Sequence, residues 1–326
     1  MLALTDRAVS PFHVVVPDDY GGDHHRKSRF DALKATARVS VFTTQTSDAA
    51  ELVSRLADAD VILSVLGRTT LSAELLQQLP GLRFVSVMGA DASRVDAETA
   101  KRLGIGLSVT PGAATPAVAE MTLGLMLAST RKLCALDASV KEGKWPTVSG
   151  RDLRGQTLGL VGLGEIGSEV ARLAIAFGMN VVAWSPRLTE ERAARHGCRA
   201  VSLSALAEVS DFVSLHLRLG PTTRGIFSGE ILSRMKRGAY LVNTSRAALL
   251  DEDALWQALS DGAIAGAALD VFSSEPLPAS HRWQSLDNVV LVPHCAWATE
   301  QTFDRFAAMA IENIFSFVGG SEASSV

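Results

Sequence analysis

Short apolar runs alternate with stretches of helical periodicity along nearly the whole chain. In the first third, 12–17, 39–43, 61–65, 84–88 and 106–109 are compact β-branched or aromatic runs that predict buried strands. Between them, 30–37, 49–57, 73–79 and 97–103 carry apolar residues at helical spacing. That alternation predicts a parallel, doubly wound sheet. Thr115-Pro116 reads as an N-cap followed by proline at the first helical position. The helix it opens is expected to run through Met121, Leu125, Leu127 and Leu133 to about Gly143, linking two domains. The alternation restarts at Thr157, with strands expected at 157–161, 180–184, 212–217, 239–243, 264–269 and 289–292, the strand count of a Rossmann sheet. A last helical stretch, 302–317, lies beyond that sheet and is expected to return to the first domain.

Composition narrows the class. A length of 326 residues fits two domains, and 47% hydrophobic with 20% charged residues describes a globular α/β protein. A net charge of −4, spread along the chain, leaves no electrostatic footprint for nucleic acid. Cys134, Cys198 and Cys295 lack CxxC or metal-ligand spacing, which predicts no disulfide framework and a reducing compartment. Asp6 and Arg7 interrupt any signal-like core, and no run is long enough to span a bilayer, so a cytoplasmic protein without a membrane partner is expected. His24-His25 has no partner ligands at useful spacing and reads as a surface loop, so no metal site is expected.

The sharpest motif is Gly162-Leu163-Gly164-Glu165-Ile166-Gly167, set between the apolar run 157–161 and a helix with Val170, Leu173, Ala174 and Phe177 on one face. Strand, glycine turn and helix in that order form a dinucleotide crevice. Gly162 permits the tight turn, Gly164 lets a pyrophosphate approach the backbone, and Gly167 lets the helix pack on the strand. The anion then meets unpaired N–H groups at the positive end of the helix.

Three polar residues follow later strands of the same sheet, where an open α/β sheet presents its ligands. Arg246 follows the run ending at Asn243-Thr244-Ser245, Glu275 follows Asp270-Val271-Phe272, and His294 follows Val292-Pro293. A guanidinium offers a planar fork to a carboxylate. An imidazole moves protons near neutral pH, and a carboxylate beside it holds its tautomer. Each alone also reads as a surface charge, a helix-start acid or a strand-end histidine. Together they predict a catalytic trio.

Asn243-Thr244-Ser245-Arg246, Asp251-Glu252-Asp253-Ala254-Leu255, the run from Gly266 to Leu277, and Pro293-His294 resemble the signatures of the NAD(P)-dependent D-2-hydroxyacid dehydrogenases. The resemblance covers about 84–306; the first 80 residues match only in pattern. It implies a flavodoxin-like substrate domain, 1–114 plus 298–326, with a Rossmann NAD(P)-binding domain, 115–297, inserted into it. By resemblance, His294 is the acid/base, Glu275 its carboxylate partner, and Arg246 the group that binds and polarises a 2-oxo acid. Asp270 faces the nicotinamide end of the cofactor, Glu165 and Ile166 lie in the glycine turn, and Leu217, Arg218, Thr223, Thr244 and Ser245 line the cofactor. Met88-Gly89-Ala90-Asp91 matches the loop whose backbone N–H groups hold the substrate carboxylate. Asp91 stands where the family often has a second glycine, so its side chain is expected to point away from the substrate. A homodimer is also expected.

Departures from the pattern narrow the activity. Ala114 stands where formate dehydrogenases of this family carry asparagine, which argues against formate oxidation. No regulatory domain of the kind carried by many phosphoglycerate dehydrogenases is expected. His294-Cys295-Ala296-Trp297-Ala298 is similar to the hydroxypyruvate and glyoxylate reductase branch, where a tryptophan closes on a small substrate; Trp297 reads equally as packing.

A Rossmann site selecting NAD places an acid about 20 residues after the glycines, at the end of the second strand. Here that strand ends at Ser185-Pro186-Arg187, and no acid occurs between Glu169 and Glu190. A serine hydroxyl with Arg187 nearby suits a 2′-phosphate, which favours NADP; a solvated Arg187 and NAD use without the carboxylate is the alternative. The expected activity is hydride transfer between NAD(P)H and a small 2-oxo acid, giving a D-2-hydroxy acid. The rival is a non-enzymatic NAD(P)H sensor on the same scaffold, since fold alone does not fix function.

Overall fold

The computed structural model describes residues 12–20 and 28–320. They fall into two compact units, one made of the described residues up to 114 together with 299–320 and one from 115–298. The first unit runs β1 (His13–Val16), α1 (Ser28–Thr36), β2 (Arg38–Val41), α2 (Ala49–Leu56), β3 (Val61–Val65), α3 (Ala73–Gln77), β4 (Phe84–Met88), α4 (Ala97–Arg102) and β5 (Gly106–Ser108). Its five parallel strands lie in the order β2-β1-β3-β4-β5, the flavodoxin-like arrangement. β1, β3 and β4 are buried along their whole length, which is why they read as continuous apolar runs rather than alternating ones. Asp48, Ser72 and Asp96 cap the N-termini of α2, α3 and α4 through their side chains.

The C-terminal helix Glu300–Val318 packs on β4 in this same unit. Ser86 Oγ donates to the Ala310 carbonyl at 3.0 Å, and the rings of Phe84 and Phe317 stack at 4.5 Å.

In the second unit the single helix expected from 115 to about 143 is two helices. α5 (Thr115–Thr130) is followed by α6 (Leu133–Lys141), with Lys132 between them in a left-handed conformation at φ 52°. α5 buries Leu123, Leu125 and Met126 against the sheet, whereas α6 buries nothing, so past Thr130 no core holds the chain to one axis. Thr115 is itself the first helical residue rather than a cap.

There follow β6 (Thr157–Val161), α7 (Glu165–Ala176), β7 (Asn180–Trp184), α8 (Glu190–Ala194), β8 (Arg199–Ala200), α9 (Leu203–Val209), β9 (Phe212–Leu215), α10 (Gly229–Leu232), β10 (Tyr240–Asn243), α11 (Glu252–Ser260), β11 (Gly266–Leu269) and β12 (Val289–Leu291). The sheet has seven parallel strands, β12-β11-β10-β9-β6-β7-β8, not six. β8 is two residues paired with Val182 and Ala183, too short to leave a periodic signal. It fills the third position of the Rossmann order, and β12 becomes a seventh strand. Alternate strand residues feed two cores: Val161, Leu215 and Leu241 on one face, with Leu158, Leu160 and Val242 meeting α5 and α7 on the other.

Candidate active site

The order of the second sheet reverses between β6 and β9, and the glycine turn sits at that switch point. Gly162 has φ +113°, and its N–H donates to the Trp184 carbonyl at 2.7 Å. A Cβ at Gly162 would lie 2.6 Å from the His216 carbonyl, and one at Gly167 would lie 2.1 Å from the Gly162 carbonyl oxygen. Those two glycines are demanded by the protein's own backbone. Gly164 differs: a Cβ there meets nothing within 4 Å. No side chain caps α7, whose first residues are Glu165 and Ile166. Open space at a glycine beside an uncapped helix N-terminus fits a dinucleotide pyrophosphate.

The loops beside this turn are tied together by hydroxyl groups. Ser245 Oγ donates to the Leu217 carbonyl at 2.7 Å, and Thr223 Oγ1 to the Arg218 carbonyl at 2.8 Å. Thr244 Oγ1 lies 3.2 Å from Thr122 Oγ1 on α5, and the Leu217 side chain is in the core. At the end of β7, Ser185 is half-buried and Arg187 exposed. The Ser185 carbonyl accepts from the Leu188 N–H at 3.1 Å, making a tight turn. Arg192 Nη1 donates to the Arg187 carbonyl at 3.2 Å, bringing a second guanidinium to the loop. The sequence reading missed Arg192, because its contact spans a turn and the start of α8.

Adjacent β10, β11 and β12 bring Asn243, Leu269 and Leu291 into register, and the candidate trio follows those ends. Arg246 is exposed. Asn243, fully buried, donates from Nδ2 to the Arg246 carbonyl at 3.0 Å and accepts from the Ser245 N–H at 3.1 Å. Asn243 therefore shapes the arginine loop, a role that its place in a motif did not reveal. His294 Nδ1 lies 2.7 Å from Glu275 Oε2, and both side chains are partly exposed, 39% and 36%. Glu275 Oε1 accepts the Phe272 N–H at 2.9 Å, so the carboxylate is fixed at both oxygens. Nε2 of His294 has no protein partner among the described residues.

His294 has φ +50°, in the left-handed region that non-glycine residues rarely adopt. Two groups hold the chain there. Asp270, 1% exposed, accepts the N–H groups of Cys295 at 2.7 Å and Ala296 at 3.2 Å. Burial raises its carboxyl above the usual range, and those two backbone donors oppose the rise. Trp297 Nε1 donates to the His294 carbonyl at 3.0 Å.

β12 ends at Leu291, so the turn at His294 sets the directions of His294 and Cys295. His216 lies just past β9, with Nε2 2.8 Å from Ser214 Oγ. Burial pushes its imidazole down to about 4, so it is neutral at physiological pH.

Gly89, Ala90 and Asp91 belong to the first unit. Gly89, at φ +148°, donates its N–H to Thr110 Oγ1 at 2.8 Å, while those of Ala90 and Asp91 donate to no protein atom among the described residues. Asp91 Oδ1 accepts the Ser93 N–H at 2.8 Å, turning the carboxylate onto its own loop. His24 and His25 lie outside the described residues. Among those described, no three His, Cys, Asp or Glu side chains cluster as metal ligands, and no helix is long and apolar enough to cross a membrane.

Residues 123–296 match the family model described as D-isomer specific 2-hydroxyacid dehydrogenase, NAD binding domain. The chain belongs to the D-isomer specific 2-hydroxyacid dehydrogenases. It is similar to the glyoxylate reductase of Korarchaeum cryptofilum, 40% identical over 275 residues and 82% of each chain. The hydroxypyruvate reductase of Thermotoga maritima is 38% identical over 273 residues, covering 82% of this chain and 88% of that one. A solved acyclic imino acid reductase in complex with NADPH and D-Arg has a TM-score of 0.84 at 26% identity, covering 97% of this chain and 100% of that one. As a family member the protein is an NAD(P)-dependent oxidoreductase acting between 2-oxo acids and D-2-hydroxy acids.

The two kinds of glycine separate stability from binding. Gly164→Ala should leave the thermal midpoint unchanged and weaken NADPH by about tenfold, since its methyl enters only ligand space. Gly167→Ala should lower stability by about 1–3 kcal/mol, because backbone must move to admit the methyl. Thermal melts and titration of nicotinamide fluorescence check both. Equal destabilisation by the two variants would remove Gly164 from the crevice.

Proposed function

We propose that this enzyme reduces small 2-oxo acids of the glyoxylate and hydroxypyruvate type, with NADPH preferred over NADH. The observation that carries the chemistry is the 2.7 Å Glu275–His294 pair with Nε2 free, on strand ends of the sheet that holds the glycine turn. The relatives named glyoxylate and hydroxypyruvate reductase support the substrate class.

The Arg246 guanidinium takes the substrate carboxylate and carbonyl oxygen. When bound, the nicotinamide cofactor supplies the hydride to C2. Protonated His294 donates its Nε2 proton to the carbonyl oxygen and keeps its Nδ1 proton, which it donates in a hydrogen bond to Glu275 Oε2. Arg246 and His294 thus place positive charge where negative charge grows on that oxygen. Asp270 borders the nicotinamide end. His294→Ala should cut turnover on glyoxylate by about a hundredfold to ten-thousandfold and leave NADPH affinity intact. Turnover near that of the unaltered enzyme would remove the histidine from the reaction and favour a sensor over an enzyme site.

For the 2′-phosphate, the support is the acid-free end of β7, with Ser185 and Arg187 on one turn and Arg192 reaching it from α8. A carboxylate at position 185 would repel that phosphate and suit the free ribose hydroxyls of NADH. Arg187→Ala should lower kcat/KM for NADPH by about tenfold with NADH nearly unaffected, and Ser185→Asp should shift preference toward NADH. Equal losses for both cofactors in Arg187→Ala would show that this turn does not read the 2′ position.

The homodimer reading is supported by α6, nine residues long and burying none of them, followed by Trp145 at 88% exposure. A helix that short is marginal in water unless another surface covers it, and a second copy of the chain supplies that cover. Trp145→Lys should then sediment as a monomer while the unaltered protein sediments as a dimer; identical sedimentation would place the interface elsewhere.

A further inference from the structure

We infer that Trp297 is a positioning residue for His294: its indole N–H holds the histidine backbone in the one conformation that points the imidazole at Glu275. This inference rests on the acid/base reading of His294 proposed above.

His294 has φ +50°, a conformation the chain would leave without restraint. Its carbonyl accepts the Trp297 indole N–H at 3.0 Å, and its own N–H reaches back to the Val292 carbonyl at 3.1 Å. The next two N–H groups, of Cys295 and Ala296, go to the buried Asp270 carboxylate. The peptide on the carboxyl side of His294 is thus gripped at its oxygen by the indole and at its nitrogen by Asp270. Relaxation of His294 to a negative φ turns that peptide and the side chain together about the N–Cα bond. Such a rotation would swing the imidazole away from Glu275 Oε2, which is itself fixed through Oε1 on the Phe272 N–H. Trp297 is half-buried, so its ring also packs, and phenylalanine keeps an aromatic ring there without the donor. Only the indole offers a donor at that place. Proton transfer depends on reacting atoms held within a few tenths of an ångström, so loss of one positioning hydrogen bond should appear in turnover before it appears in binding.

The test is a double-mutant cycle on the full chain, with glyoxylate and NADPH as probes. Trp297→Phe should lower kcat by about tenfold, with NADPH affinity and thermal midpoint unchanged. In a His294→Ala background the same substitution should cost nothing further, because the residue it positions is gone. A merely structural role would instead lower the residual rate of His294→Ala by the same factor, and that result overturns the inference. So does a Trp297→Phe enzyme with unaltered kcat while His294→Ala is inactive, a pattern that leaves the acid/base reading standing. Full activity in His294→Ala overturns both readings together.

Discussion

The candidate chemistry depends on the backbone ladder joining β9, β10, β11 and β12. Parallel pairing puts Leu215, Asn243, Leu269 and Leu291 level with one another, so the loops that follow start from one edge. Glu275 and His294 are 19 residues apart in the chain, Arg246 is farther from both, and nothing local relates them. The ladder relates them because a parallel strand leaves the sheet at the same end as its neighbours. Its register is held by burial on both faces, since a slip of one residue would exchange the two apolar cores.

On that edge the side chains are arranged by buried polar groups whose partners are backbone. Asn243 is fully buried and uses both ends of its amide on the arginine loop. Asp270 is nearly as deep and directs both oxygens at the histidine loop. A buried polar group without partners is destabilising, which makes each loop conformation that satisfies it the favoured one. The partly exposed pair, Glu275 and His294, is then presented by loops that have little freedom left.

The glycine turn shows the same division between what the protein needs and what a ligand needs. Gly162 and Gly167 allow two loops and a helix to meet at backbone distance. A Cβ at Gly164 would meet no protein atom within 4 Å, so packing within the protein does not require its smallness. The hydroxyls of Thr223 and Ser245 bond to carbonyls of neighbouring loops, so they build the wall beside this turn.

Sequence by itself determined the α/β class, the two parallel sheets, most strand positions and the identity of the chemical groups, because these rest on local periodicity and on residue types that carry chemistry alone. It did not reveal β8, whose two residues are too few for a period, or the break at Lys132, where the core ends rather than the helical pattern. It named Asp270 and Trp297 without showing what they grip, and it passed over Arg192 and gave Asn243 no role. The hydrogen bonds of those residues depend on direction and on loop conformation, including a histidine at positive φ that no propensity would select. Tertiary structure decided those points, since a hydrogen bond between loops exists only once the ladder and the cores have brought the loops together.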